Sequence, residues 1–321
     1  MNNLTNNQKR VLNNISKKID PTVSLGNIIQ EIITDDGKDM ALGTPTNANK
    51  ASVVLNVTGV VKDGETVSIG AKVYEFLADV ALSKSNAANV AVDINAHTVK
   101  ATGSLTITAQ PDSGETVTIG EKVYTFVPVG TATADGEVSV GADLAGAKSA
   151  LVAAINGTDN INDPHPLVSA AAFVGDTCAI TALIGGTDGN AIATTETFGE
   201  VTNIFAAVTL ENGANCSAAN AMTALVAAIT ATANLVSAAV ANGEITITAL
   251  LAGVLGNAIT VAETMANGAF AAAATTLSGG TNGTIGVAGS LMVDASYIYI
   301  CVANNTISGS NWRRILLGSA F

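Results

Sequence analysis

Aromatic side chains make up 4% of this chain and charged ones 12%, and its 321 residues hold only two histidines, three cysteines and six prolines. Each shortage excludes something. With His97 and His165 alone, a multi-histidine metal centre or a histidine-based catalytic triad is not expected. Cys178, Cys216 and Cys301 are odd in number and far apart, so neither a disulfide framework nor a metal site follows, and no cofactor is expected. A formal net charge of -12 and a pI near 4.4 argue against nucleic acid as a partner, because phosphate binding needs clustered Lys and Arg. Nucleophile elbows, phosphate loops and dinucleotide fingerprints do not occur. The beginning of the chain has no apolar stretch of the secretory kind, so folding in a cytoplasm is the expectation.

What the chain does have is small apolar residues, since hydrophobic types reach 48% while aromatics are scarce. Cores built from Ala and Val are thin, so small modules that associate are expected. One uncharged run, Ala221 to Ala241, is long enough to cross a bilayer. The matching run of a preceding repeat is broken by Asp159, Asp163, Pro164, His165 and Pro166, so each reads as two elements joined by a turn, and membrane insertion is not expected.

Repetition organises the sequence. Gly64-Glu65-Thr66-Val67-Ser68-Ile69-Gly70 with Lys72-Val73-Tyr74-Glu75-Phe76 returns fifty positions later as Gly114-Glu115-Thr116-Val117-Thr118-Ile119-Gly120 with Lys122-Val123-Tyr124-Thr125-Phe126. Alternation at Val53, Leu55 and Val57 predicts a half-buried strand. Val67 with Ile69, then Val73 to Phe76, complete a three-stranded antiparallel meander after turns at Asp63-Gly64 and Gly70, and Val90, Val92 and Ile94 add a strand.

A second string is also used twice. Leu144, Ala147, Leu151 and Ile155 share a helical stripe opened by Asp143 and ended at Asn156-Gly157, and a hairpin of 167–173 and 177–183 follows. Leu151-Val152-Ala153-Ala154-Ile155 returns as Leu225-Val226-Ala227-Ala228-Ile229, and Gly189-Asn190-Ala191-Ile192 as Gly256-Asn257-Ala258-Ile259. Asn242-Gly243 marks a two-residue hairpin turn. The fold class expected is α+β and β-rich. It is read as tandem modules: a helical arm over 1–42, a meander over 48–100, a full module over 101–213, a helix-and-hairpin over 214–283 and a terminal β knob over 284–321.

The two ends differ from the body. Residues 5–19 read as an amphipathic helix with Val11, Ile15 and Ile19 on one stripe, and 24–39 as a second with Leu25, Ile28, Ile29, Ile32 and Ile33. Lys9, Arg10, Lys17 and Lys18 give the first twenty residues a charge of +3 against -15 for the rest, which suits either docking on an acidic protein surface or a solvated helix face. The knob holds the one Trp and two of the four Tyr, in strands expected at 291–293, 297–302 and 312–317, and such rings suit packing against a neighbour.

Other residues read as structural. His165, between two prolines, is expected in a solvated loop, Glu65 and Glu115 at equivalent hairpin positions, and Cys178 and Cys301 in packing. Asp188 has the look of a calcium ligand, yet its counterpart is Leu255, so a turn is the preferred reading and no metal site is assigned.

The string Gly-Glu-Thr-Val-Thr-Ile-Gly-x-Lys-x-Tyr-x-Phe, followed by Leu-Val-Ala-Ala-Ile-Asn and Gly-Asn-Ala-Ile-Ala, resembles a module of tailed-phage virion proteins, mainly head-decoration, head-fibre and tail-fibre proteins, over residues 51–280. Asp294, Tyr297, Tyr299, Cys301, Asn305-Thr306 and Trp312-Arg313-Arg314 are similar to the closing segment of phage fibres, with Ile307 to Asn311 inserted before the Trp. The resemblance implies a non-enzymatic capsid decoration or head-fibre protein on the virion surface, assembled in the host cytoplasm as a homotrimer on the major capsid protein. Docking is expected through Lys9, Arg10, Val11, Ile15, Lys17 and Lys18, with Tyr297, Tyr299, Trp312 and Arg313 as oligomer or receptor contacts. The alternative it implies is a tail fibre whose knob binds a host surface glycan. A polysaccharide-cleaving spike is a third, unsupported by any duplicated acidic pair.

Overall fold

A computed structural model describes residues 48–232, 235–283, 289–293, 297–303 and 312–316. The helices expected over 5–19 and 24–39 lie outside the described residues. Within them the protein is β-rich, with two α-helices and five small sheets.

The first half of the sequence pattern forms β1 (Lys50–Val57), β2 (Thr66–Ile69), β3 (Lys72–Leu77) and β4 (Val90–Asp93). Its repeat forms β5 (Lys100–Thr106), β6 (Thr116–Ile119), β7 (Lys122–Val127) and β8 (Glu137–Ser139), continuing into α1 (Leu144–Asn156), β9 (Val168–Ala170), β10 (Thr177–Gly185), β11 (Thr194–Glu196) and β12 (Ile204–Phe205). Then come α2 (Ala218–Thr232), β13 (Val236–Ala241), β14 (Glu244–Ala252), β15 (Val261–Glu263) and β16 (Gly268–Phe270).

The meander is not formed. Alternation makes β1 a half-buried strand, as expected, but both its edges are taken from far along the chain, by β14 and β16, in the order β13-β14-β1-β16. β2 and β3 make a hairpin about Gly70, which takes φ 58° at the first turn position, where glycine carries no Cβ penalty. That hairpin belongs to a second sheet, β15-β2-β3-β4, in which β4 runs parallel to β3. Residues 99–213 reproduce both sheets as β12-β5-β10-β9 and β11-β6-β7-β8. Periodicity fixes which face a strand buries but not its partner, which is why a local meander was the natural expectation.

The stretches read as separate first and third modules share one core. Leu55, Val67, Phe76, Leu225, Ile245 and Phe270 pack in a single cluster, while Leu105, Val117, Phe126, Leu151, Ile180 and Phe205 form the other. We call residues 49–98 with 214–282 the host unit and residues 99–213 the inserted unit. The insertion falls between β4 and α2, the position that Val140–Asp143 occupies between β8 and α1. Chain closure explains how a whole unit fits in a loop. Val99 N donates to Ala214 O at 2.8 Å and Ala214 N to Val99 O at 3.0 Å, so the two ends of the inserted unit lie side by side. The host closes the same way, with Asn49 N donating to Thr281 O at 2.9 Å.

Helix limits follow from caps. Asp143 accepts from Gly146 N at the start of α1, and Gly157, at φ 63°, ends it. The Ala221 to Ala241 run divides into the end of α2 and β13, and among the described residues no helix is long and apolar enough to cross a membrane. Asn242 and Gly243, both at positive φ, turn β13 into β14, as their identity requires.

Candidate functional site

The repeated polar motif residues are used up in holding each unit together. Glu65 Oε1 accepts from Ala266 N at 2.8 Å and its Oε2 from Lys62 N at 3.0 Å; Glu115 does the same with Gly199 N at 2.5 Å and Asp112 N at 2.9 Å. Each carboxylate ties the start of a hairpin to a segment more than eighty residues away. Thr66 N donates to Thr264 Oγ1 and Thr116 N to Thr197 Oγ1, both at 2.9 Å.

The Gly-Asn-Ala-Ile string is a closing clasp. Asn190 donates from Nδ2 to Gly213 O at 3.1 Å and accepts at Oδ1 from Gly213 N at 2.7 Å; Asn257 makes the same pair with Gly280, both at 2.9 Å. The preceding glycines are required by close approach. A Cβ on Gly189 would lie 2.8 Å from Ala101 Cβ, and one on Gly256 2.8 Å from Ala51 Cβ.

His165 is not a solvated loop residue. It is 2% exposed, with Nε2 3.0 Å from Ile119 O and Nδ1 accepting from Leu167 N and Val168 N. Two N–H donors at Nδ1 leave Nε2 to carry the proton toward the carbonyl, so the ring is held neutral. Burial lowers its pKa from the ordinary value, the backbone carbonyl of Ile119 acts the other way, and the nearby Lys122 charge lowers it further. The flanking prolines misled the sequence reading, because the loop they shape folds back under β6. Tyr124, 6.2 Å from His165 between ring centres, is buried and its hydroxyl pKa is raised by burial and by Asp135 and Asp159.

Asp188 lies at the surface, 3.8 Å from Lys62 Nζ. Among the described residues no group of three or more His, Cys, Asp or Glu is placed to hold a metal ion. Cys178 and Cys301 are buried, and burial raises both thiol pKa values, that of Cys178 to about 11, with the Ala303 carbonyl acting the other way on Cys301.

The C-terminal sheet gathers half-buried rings beside exposed cationic side chains. Strands β17 (Leu291–Val293), β18 (Tyr297–Cys301) and β19 (Trp312–Leu316) pair antiparallel in that order. Ile298 and Ile300 are buried with Leu291 and Ile315 against them. The opposite face of the pleat carries Tyr297, Tyr299 and Trp312, with the two tyrosine rings 6.0 Å apart. Register places Arg313 opposite Ile300, on the apolar face, and Arg314 opposite Tyr299. It is Arg314, missed by the sequence reading, that stacks 4.8 Å over Tyr297. Strand parity alone, 312 and 314 on one side, would have found it. Lys9, Arg10, Val11, Ile15, Lys17 and Lys18 lie outside the described residues.

Comparison with family models, with curated proteins and with solved structures finds no match for this chain.

Proposed function

We propose that this chain is a non-enzymatic virion structural protein of a tailed phage, a capsid decoration or head-fibre protein seated on the outside of the head. The observation that carries the reading is the repeated Gly-Glu-Thr-Val-Ser/Thr-Ile-Gly-x-Lys-Val-Tyr-x-Phe string at residues 64–76 and 114–126, which resembles a module of such proteins. Its support is the use made of that string: glutamate, threonine and tyrosine serve turns, staples and cores. On this reading the basic arm with Lys9, Arg10, Lys17 and Lys18 docks on the major capsid protein, the two acidic units project outward, and three chains associate. Cryo-EM of the intact particle tests it; density for this chain at the tail or baseplate alone would sink it.

A second reading, a tail fibre whose terminal sheet binds a host glycan, is favoured by the Tyr297, Tyr299 and Arg314 face, since tyrosine and arginine planes stack on sugar rings. Deleting residues 284–321 separates the two. Lost adsorption with normal assembly supports the fibre, and a lost trimer with normal adsorption supports the decoration protein.

A further inference from the structure

One end of the inserted unit faces the host across a cleft, and the same end of the host unit is bare. In the inserted unit that end consists of Leu167, Leu183, Ile184, Thr187 and Asp188. Lys62 and Asp63 of the host stand across from it, on the other wall of a cleft of ≈ 650 Å³, with Lys62 reaching Asp188. Leu183 and Ile184 are accordingly half-buried, while Leu167, Thr187 and Asp188 stay exposed. The glycines that flank this end, Gly186 and Gly189, have Gly253 and Gly256 as counterparts in backbone and clasp, so the host equivalents are Leu235, Leu250, Leu251, Val254 and Leu255. All five are exposed, Leu251 at 75% and Leu255 at 72%. Exposed leucines gathered at one end of a unit, on a chain with 12% charged residues, suit an interaction surface.

The chain itself indicates what covers it. Lys50 pairs with Ala252, and Gly253 N donates to Asn49 O at 2.8 Å, so the segment preceding residue 48 enters the fold at the rim of this patch. Fifteen residues, 34–48, separate Asn49 from the apolar set Leu25, Ile28, Ile29, Ile32 and Ile33. A linker of that length spans up to about 50 Å extended, so reach is no obstacle. Polar chemistry argues against the most obvious rival, a second chain using its own copy of the facing loop. That loop offers Asp112 where the host offers Lys62, and it would meet Leu255 where Lys62 meets Asp188. The apolar face of the C-terminal sheet is already closed over Ile298 and Ile300.

We propose that the Leu25 to Ile33 segment packs on the Leu235, Leu250, Leu251, Val254 and Leu255 face of its own chain. It fixes the direction in which residues 1–20 leave the body and keeps a leucine patch from water. The proposal does not depend on which particle, if any, the chain joins.

The test uses the full chain with Leu255→Cys, since Cys178, Cys216 and Cys301 are buried. Maleimide labelling at Leu255→Cys is expected to be at least tenfold slower than at Val201→Cys, whose native side chain is 82% exposed on the inserted unit. Adding Ile28→Asp and Ile32→Asp is expected to raise it to the Val201→Cys rate. Equal rates from the outset overturn the proposal. So does protection that survives the two aspartates, whether it depends on protein concentration, as a second chain would require, or not, as another segment would. Should the aspartate variant misfold, an Ile29→Cys/Leu255→Cys pair is expected to form a disulfide within one chain under mild oxidation, and disulfides only between chains, or none, count against it.

Discussion

Tyr74 and Tyr124 occupy one position in two copies of one fold, yet removing their hydroxyls is expected to act with opposite sign. Both rings are fully buried. Tyr74 Oη is hydrogen-bonded to Thr232 Oγ1 at 3.2 Å, at the last residue of α2. In the inserted unit the helix ends earlier, because Gly157 takes φ 63° and turns the chain away, and Thr158 hydrogen-bonds Ala153 O instead. Among the described residues Tyr124 Oη has no hydrogen-bond partner. A neutral buried hydrogen bond contributes about 1 kcal/mol, and leaving a buried polar group unpaired costs about 1–3 kcal/mol. Tyr74→Phe should therefore lose about 1 kcal/mol of stability, while Tyr124→Phe, which keeps the ring and discards an unpaired hydroxyl, should be neutral or gain about 1 kcal/mol. Urea unfolding of the full chain measures both, the slope staying constant if the unfolded surface is unchanged. The residues sit in different cores and share no partner, so the double variant should equal the sum of the singles to within about 0.5 kcal/mol. Losses of similar size from both would refute the reasoning, since they would mean that Tyr124 Oη is engaged after all.

Three further perturbations follow from the same geometry. With the folded pKa of His165 below its unfolded value near 6.5, the unfolded chain takes up the proton first, so stability is full above about pH 6.5 and falls as pH drops through that value toward the folded pKa; His165→Gln should flatten this stretch of a stability-against-pH curve measured by thermal unfolding. Asn190→Ala and Asn257→Ala each remove both bonds of a clasp and leave a glycine N–H unpaired, a loss of roughly 1–3 kcal/mol apiece, and native-state hydrogen exchange should show faster exchange at Gly213 and Gly280 respectively. Replacing residues 100–213 by a two-residue Gly-Ser turn should leave the host unit folded, because Val99 and Ala214 are already hydrogen-bonded neighbours; a chain that loses its near-ultraviolet signal and cooperative unfolding would show that the host needs its insert.

Local rules made much of this chain legible and long-range pairing did not. Asp143 and Gly157 delimit α1, Asn242-Gly243 makes its hairpin, and the three terminal strands fall where their composition put them, since each is decided within a few residues. The partners of β1 are some 190 and 215 positions away, at β14 and β16, and no periodicity encodes them. The repeat carried that information in another form: a first copy with the hairpin strings but no helix, and a last copy with the helix but no Gly-Glu-Thr-Val, are complementary halves. Glu65 makes the point at one residue. As a turn residue it needs no distant partner, yet its Oε1 accepts from Ala266 N, across the whole inserted unit. Glu115 meets Gly199 in the same manner inside a continuous stretch, so the continuous copy predicts the contacts of the interrupted one. The difference between the copies is equally informative. Lys148, buried on α1 and bonded to Gly175 O and Asp176, corresponds to Met222 on α2, so the inserted unit holds its hairpin by charge where the host holds it by packing. Where the host has leucine for Asp188 and valine for Thr187, the same comparison marks a surface from which polar partners have been withdrawn, at the end where the chain enters the fold.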